Sequence, residues 1–113
     1  MRSGSDRLGD ILAAAAKIKE RVAAGPDSFQ RDEMLQVWVI HHLQVIGEAA
    51  RGIFQSMKDQ FPSVPWTQIV GLRNILVHEY FGLNMQQVWM VTQRELPSLE
   101  QQIVAIQLQM FSE

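Results

Sequence analysis

Arg73, Asn74, His78 and Tyr80 fall within a stretch of eight residues, wrapped around the apolar trio Ile75, Leu76 and Val77. A histidine titrates near neutrality and can give or take a proton during a reaction. An arginine beside it presents a planar fork of donors that grips an anion. Taken singly, each residue has an ordinary structural role: a hydrogen-bonded His, an ion-paired Arg, a Tyr that packs with its hydroxyl at the surface. Their spacing makes the cluster worth pursuing. The apolar trio is expected to anchor the segment in a core.

An ideal helix turns about 100° per residue. Arg73 and Tyr80 then fall almost in line, and Asn74 and His78 form a separate i,i+4 pair. His78 stands roughly 140° around from Arg73. One straight helix therefore does not converge all three groups. Either the helix loosens near His78, or a second element or a second chain completes the site. Gly71 and Gly82 flank the stretch and allow a change of direction at either end.

Two further features could carry chemistry. Glu48 lies in the small, apolar run Gly47-Glu48-Ala49-Ala50, where a carboxylate is costly unless paired. Arg73 is the expected partner, with Glu48 orienting the basic group and not itself reacting. His41 and His42 with His78 and Glu48 raise the idea of zinc, but their spacing matches no established ligand pattern. No metal and no cofactor are expected. A Gly-rich phosphate loop is absent, and none of the serines sits in a nucleophile turn.

The elements that must position these residues are helical. The chain has 113 residues with four prolines, and strand-like alternation is missing. A first helix is expected from Ser5 or Asp6 to Ala24, with Leu8, Ile11, Leu12, Ala15, Ile18 and Val22 on one face. Gly25 and Pro26 stop it. A second, long helix is expected to start between Asp27 and Asp32 and run to about Lys58. Leu35, Val39, Leu43, Ile46, Ala50, Ile53 and Met57 form one stripe on it, and Trp38, Val45 and Ala49 another. Apolar cover this wide suits the centre of a bundle or a dimer interface. A turn follows over residues 59–65. The third helix starts near Pro65 and delivers the focal stretch, and Tyr80 to Leu83 form a loop. Asn84 reads as an N-cap with Gln87 completing the outline of a capping box. The last helical region runs from Met85 towards Gln109 and is kinked or divided by Pro97. Beyond Pro97, Leu99, Ile103, Ile106 and Met110 form a packing seam.

Composition sets the bounds. A length of 113 residues suits one domain, residues 1–113, and 47% hydrophobic content argues against wholesale disorder. Net charge is −2, so any basic surface must be local. No cysteine is present, which excludes disulfides and thiolate metal sites. The apolar runs are far below the roughly 18 residues of a membrane span. Met1 to Ser5 leads into an amphipathic pattern and not a signal-type apolar region, so a cytoplasmic protein is expected.

Arg73-Asn74-x3-His78-x-Tyr80 resembles the R-x4-H-x-Y motif of the HepT-type ribonuclease toxins, a branch of the HEPN superfamily. Val45-Ile46-Gly47-Glu48-Ala49-Ala50 resembles that family's second-helix signature. Pro65-Trp66-x2-Ile69-x-Gly71-Leu72-Arg73 resembles the approach to its catalytic motif. Tyr80-Phe81-Gly82, Val88-Trp89 and Leu96-Pro97 continue the similarity in order, which runs from about Asp6 to Ile103.

The resemblance implies an all-α, antiparallel up-and-down bundle of four to five helices that dimerises, with the motifs of two subunits meeting at one site. It implies a metal-independent endoribonuclease, the toxin of a type VII-like toxin–antitoxin pair. Arg73 and His78 would be catalytic, with Asn74, Tyr80 and Glu48 in support. Asn74 would either bond a phosphate or fix the His78 ring. RNA supplies its own nucleophile in the 2′-hydroxyl, and the products would be a 2′,3′-cyclic phosphate and a 5′-hydroxyl. The partner would be a nucleotidyltransferase antitoxin that attaches AMP to Tyr80. The competing expectation is a non-catalytic helical subunit that partners a nucleotidyltransferase.

Overall fold

A computed structural model describes residues 2–78 and 82–111. Seven helices are described: α1 (Gly4–Val22), α2 (Pro26–Arg31), α3 (Glu33–Arg51), α4 (Gln55–Gln60), α5 (Trp66–His78), α6 (Met85–Gln93) and α7 (Glu95–Phe111). No strand occurs among the described residues, so the all-α expectation holds. The four long helices α1, α3, α5 and α7 make the bundle, and the short ones turn its corners.

The first helix starts slightly earlier than the apolar pattern suggests, because Ser3 caps it. The Ser3 hydroxyl accepts from the Asp6 N–H at 3.0 Å, and the Ser3 N–H donates to the Asp6 carboxylate at 3.0 Å. This is a reciprocal capping box. The Ser3 N–H, followed by its hydroxyl, holds the Asp6 carboxyl below the usual carboxylate value. The chain leaves α1 through Gly25, whose φ of 100° suits only a residue without Cβ, and Pro26 opens α2.

The single long helix expected to start between Asp27 and Asp32 and to run to about Lys58 is divided: α3 starts at Glu33, next to the late end of that range, with α2 before it and α4 after it as separate helices. Asp32 adopts extended backbone and its carboxylate accepts from the Leu35 N–H at 3.1 Å, so it caps a new helix instead of continuing the old one. Gly52 ends α3, and extended Phe54 begins α4. Apolar periodicity persists through both breaks because α2 and α4 still pack on the same core. Phe29, Ile53 and Met57 are all buried. The turn is correspondingly shorter than expected, since Asp59 and Gln60 belong to α4.

The core is one cluster that draws on every helix. Leu8, Ile11, Ala15, Ile18 and Val22 of α1 face Val39, Leu43, Ile46 and Ala50 of α3, all buried. Each fully buried Leu or Ile contributes roughly 1.5–3 kcal/mol. On the second stripe Ala49 is buried and Val45 half-buried, whereas Trp38 lies at the rim. There the Arg21 guanidinium sits 5.4 Å from the Trp38 ring centroid. Arg21 meeting Trp38, and Arg7 meeting Gly52 at the other end, run α1 antiparallel to α3.

Pro97 divides the last helical region, with the break three residues upstream. Proline at 97 cannot bond the Gln93 carbonyl and its ring crowds that group. Accordingly α6 ends at Gln93, Arg94 leaves the helical path at ψ −65° and φ −111°, and α7 restarts at Glu95. Pro97 then sits in a first turn, where a missing N–H costs nothing. Leu99, Ile103 and Ile106 are buried as expected, while Met110 stays partly exposed. The Asn84 side chain caps α6 by accepting from the Gln86 and Gln87 N–H groups at 2.9 and 3.3 Å. No described helix is long and apolar enough to cross a membrane.

Candidate active site on the α3–α5 seam

Helix α5 lies antiparallel against α3. Gly47 meets Arg73 at one level, and the Gln44 amide donates to the Leu76 carbonyl at 3.3 Å one turn further along. The close approach depends on Gly47. A Cβ there would lie 2.2 Å from the Arg73 Cβ and 3.3 Å from its Cα. A glycine in mid-helix, usually a cost, is here what lets α5 touch its neighbour.

Arg73 is held from two sides. Its Nε donates to Glu48 Oε2 at 3.0 Å, and its Nη1 donates to Asn74 Oδ1 at 3.0 Å. The expected Glu48–Arg73 pair therefore forms. Its setting differs from the expectation, because Glu48 is not buried: its side chain is 54% exposed, against 23% for Arg73. Arg51, one helical turn from Glu48, takes the other oxygen at 3.3 Å. One carboxylate thus sits between two guanidinium groups, leaving net positive charge at the seam. Arg51 could have been found from its i+3 spacing to Glu48, and Gln44 from its i−4 spacing.

The apolar trio also behaves differently from expectation. Of the three, only Leu76 is buried in the core; Ile75 and Val77 are 47% and 43% exposed. The reason is angular. α5 packs on one side of the bundle, so residues 100° to either side of Leu76 reach the surface. Asn74 is exposed and its Oδ1 accepts from Arg73.

His78 is exposed at the end of α5, and the helix remains regular up to that point. Loosening of the helix before His78, one of the ways to bring it towards Arg73, is therefore not used. Arg73 turns to the α3 seam while His78 turns to solvent. Tyr80 lies outside the described residues, as do Glu79 and Phe81.

The two other histidines have separate places. His42 is buried and its Nδ1–H donates to the Trp38 carbonyl at 2.8 Å, with the Trp38 ring 4.4 Å away. That is a structural arrangement. His41 is exposed and meets His42 edge-on at 4.9 Å. Among the described residues, no group of three His, Asp or Glu side chains is placed to hold a metal ion.

The family described as Ribonuclease HepT-like matches residues 11–106. A protein of Methanocaldococcus jannaschii, provisionally named as an RNase, is 38% identical over 97 residues, covering 85% of this chain and 89% of its own. A Caldanaerobacter subterraneus protein, also provisionally named as an RNase, is 33% identical over 107 residues, covering 94% and 96%. A protein of Thermococcus cleftensis named as a probable ribonuclease HepT is 36% identical over 101 residues, covering 88% and 91%. No solved structure matches. The matched span takes in the whole α3–α5 seam, from Gln44 and Glu48 to Arg73 and His78, and on that ground the chain belongs to the HepT-like ribonuclease family.

Proposed function

We propose that this chain is a metal-independent endoribonuclease, the toxin of a type VII-like toxin–antitoxin pair, with Arg73 and His78 as its catalytic residues. The observation that carries the reading is the paired state of Arg73. Glu48 and Asn74 hold its guanidinium in place at the surface end of the α3–α5 seam. A positioned guanidinium is what a developing phosphate charge requires. His78, five residues on and exposed, supplies proton transfer.

In the proposed reaction the RNA 2′-oxygen attacks the adjacent phosphorus, and the bond to the 5′-oxygen breaks. His78 takes the 2′-hydroxyl proton, and the departing 5′-oxygen takes one from solvent water. The products are a 2′,3′-cyclic phosphate and a 5′-hydroxyl. RNA brings the nucleophile, so no metal-bound water is needed.

The working form is a homodimer. On a regular α5, Arg73 and His78 point roughly 140° apart and cannot both face one phosphate. Two copies related by a two-fold axis present Arg73 of one and His78 of the other to a shared cleft. The exposed Ile75 and Val77, beside His78, supply apolar surface for such a contact.

The test is cleavage of single-stranded RNA by the purified protein in EDTA. Activity should persist, and Arg73→Ala and His78→Ala should each abolish it with the helical circular dichroism unchanged. Activity that vanished on chelation and returned with added zinc or magnesium would overturn the mechanism.

A further inference from the structure

A groove of about 770 Å³ runs between α4 and α5 and reaches the motif at Asn74. Its size is in the range that holds a small ligand. Asn74, Gly71 and Thr67 follow one another along the groove wall formed by α5, spanning about 10 Å at 1.5 Å per residue. Lys58 and Gln55 of α4 stand opposite. Asp59 also lines the groove, but the Gln55 amide donates to its carboxylate at 2.9 Å. Lys58 makes no ion pair among the described residues, so its ammonium is free to meet a phosphate, while the Asp59 carboxylate keeps its negative charge and leaves the lining formally neutral.

Gly71 is the informative residue. It lies inside α5, where glycine is unfavourable relative to alanine. Its φ is not positive. A Cβ built on it would meet nothing within 4 Å. Packing within one chain and backbone conformation therefore give no reason for glycine here, in contrast to Gly47. What the missing side chain does is keep the groove floor open.

We propose that this groove is the subsite for an unpaired nucleotide flanking the scissile phosphate, with the base and ribose over Gly71 and a flanking phosphate on Lys58. The proposal rests on the ribonuclease reading, because Asn74 joins the groove to Arg73 through the bond at 3.0 Å. The groove suits a single strand. Its walls combine polar Thr67, Gln55 and Asn74 with apolar Val70, as a splayed-out base requires.

Gly71→Ala is the decisive variant, because it should strengthen the fold while weakening the enzyme. The matched control is Gly9→Ala in α1, where a Cβ also meets nothing within 4 Å. Both variants should melt at higher temperature than the parent. Only Gly71→Ala should raise KM for single-stranded RNA, by about tenfold, with kcat less affected. Binding is read separately by fluorescence anisotropy of a labelled mixed-sequence RNA on the His78→Ala protein. In that background Gly71→Ala should weaken binding to a similar degree. Lys58→Ala should weaken it too, and lower the slope of log affinity against log salt by about 0.7, the loss expected for one single-strand phosphate contact. Unchanged KM and binding in Gly71→Ala would overturn the subsite. So would a lower melting temperature or a change in sedimentation, either of which would assign Gly71 to packing or to a subunit interface. Weakened RNA binding in Gly71→Ala combined with no cleavage by the parent would instead sink the ribonuclease reading, and with it the scissile phosphate, and leave the groove as an RNA-binding site only.

Discussion

Gly47 and Arg73 touch across the α3–α5 seam so closely that a Cβ on residue 47 would lie 2.2 Å from the Arg73 Cβ. The contact is backbone-deep, since the Arg73 Cα is only 3.3 Å from the same point. No rotamer change of Arg73 relieves it. Gly47 thereby sets the distance of α5 from α3, and with it the reach of Glu48 to the Arg73 Nε.

Gly47→Ala should accordingly force the two helices apart. Overpacking of this kind costs about 1–3 kcal/mol, which lowers Tm by several degrees in a domain of this size. RNA cleavage should fall further than the loss of folded protein explains, because Arg73 moves off Glu48. Urea unfolding and single-turnover cleavage on the same preparation check both parts. A variant as stable and as active as the parent would show that the seam relaxes at no cost.

Glu48→Gln separates positioning from stability. The Glu48 side chain is about half exposed, and such ion pairs are worth roughly 0–1 kcal/mol. Melting should barely move. The amide can still accept from Arg73 Nε but no longer fixes the guanidinium by charge, so kcat should fall by about tenfold with KM nearly unchanged, an effect of about 1.4 kcal/mol on the barrier. Glu48→Asp, which keeps the charge on a shorter stem, should recover part of the loss. Equal kcat in the parent and Glu48→Gln would leave Glu48 with no positioning role.

Regulation is proposed at Tyr80. A cognate nucleotidyltransferase would join the Tyr80 oxygen to the α-phosphorus of ATP and release pyrophosphate. The attached AMP would place an anion and a bulky group beside Arg73, where RNA phosphate should bind. Co-expression with such a partner should add AMP mass at Tyr80 and silence cleavage, while Tyr80→Phe should gain no mass. Intact-mass spectrometry reads the outcome directly. Efficient modification and silencing of Tyr80→Phe would remove Tyr80 from the mechanism.

Much of this protein follows from residue order alone. The helical class comes from 3–4 apolar spacing with few breakers, and most of the buried faces of α1 and α7 come out of it, though Leu12 is only partly buried, Met110 is exposed, and the buried Ala14 lies outside the expected face. The Glu48–Arg73 pair is expected from a carboxylate in a small apolar run, and it forms, although Glu48 is 54% exposed and burial is not what demands it. Other features depend on tertiary packing. Apolar periodicity could not show that Gly52 and Phe54 break the second helix, because a corner that stays on the core keeps its pattern. The trio Ile75-Leu76-Val77 looks uniformly buried in sequence, yet a helix packed on one side of a bundle buries only one line of it. Gly47 and Gly71 are alike as letters, each a glycine inside a helix. Only the neighbouring atoms distinguish them: the Arg73 backbone stands against the first, and open groove faces the second.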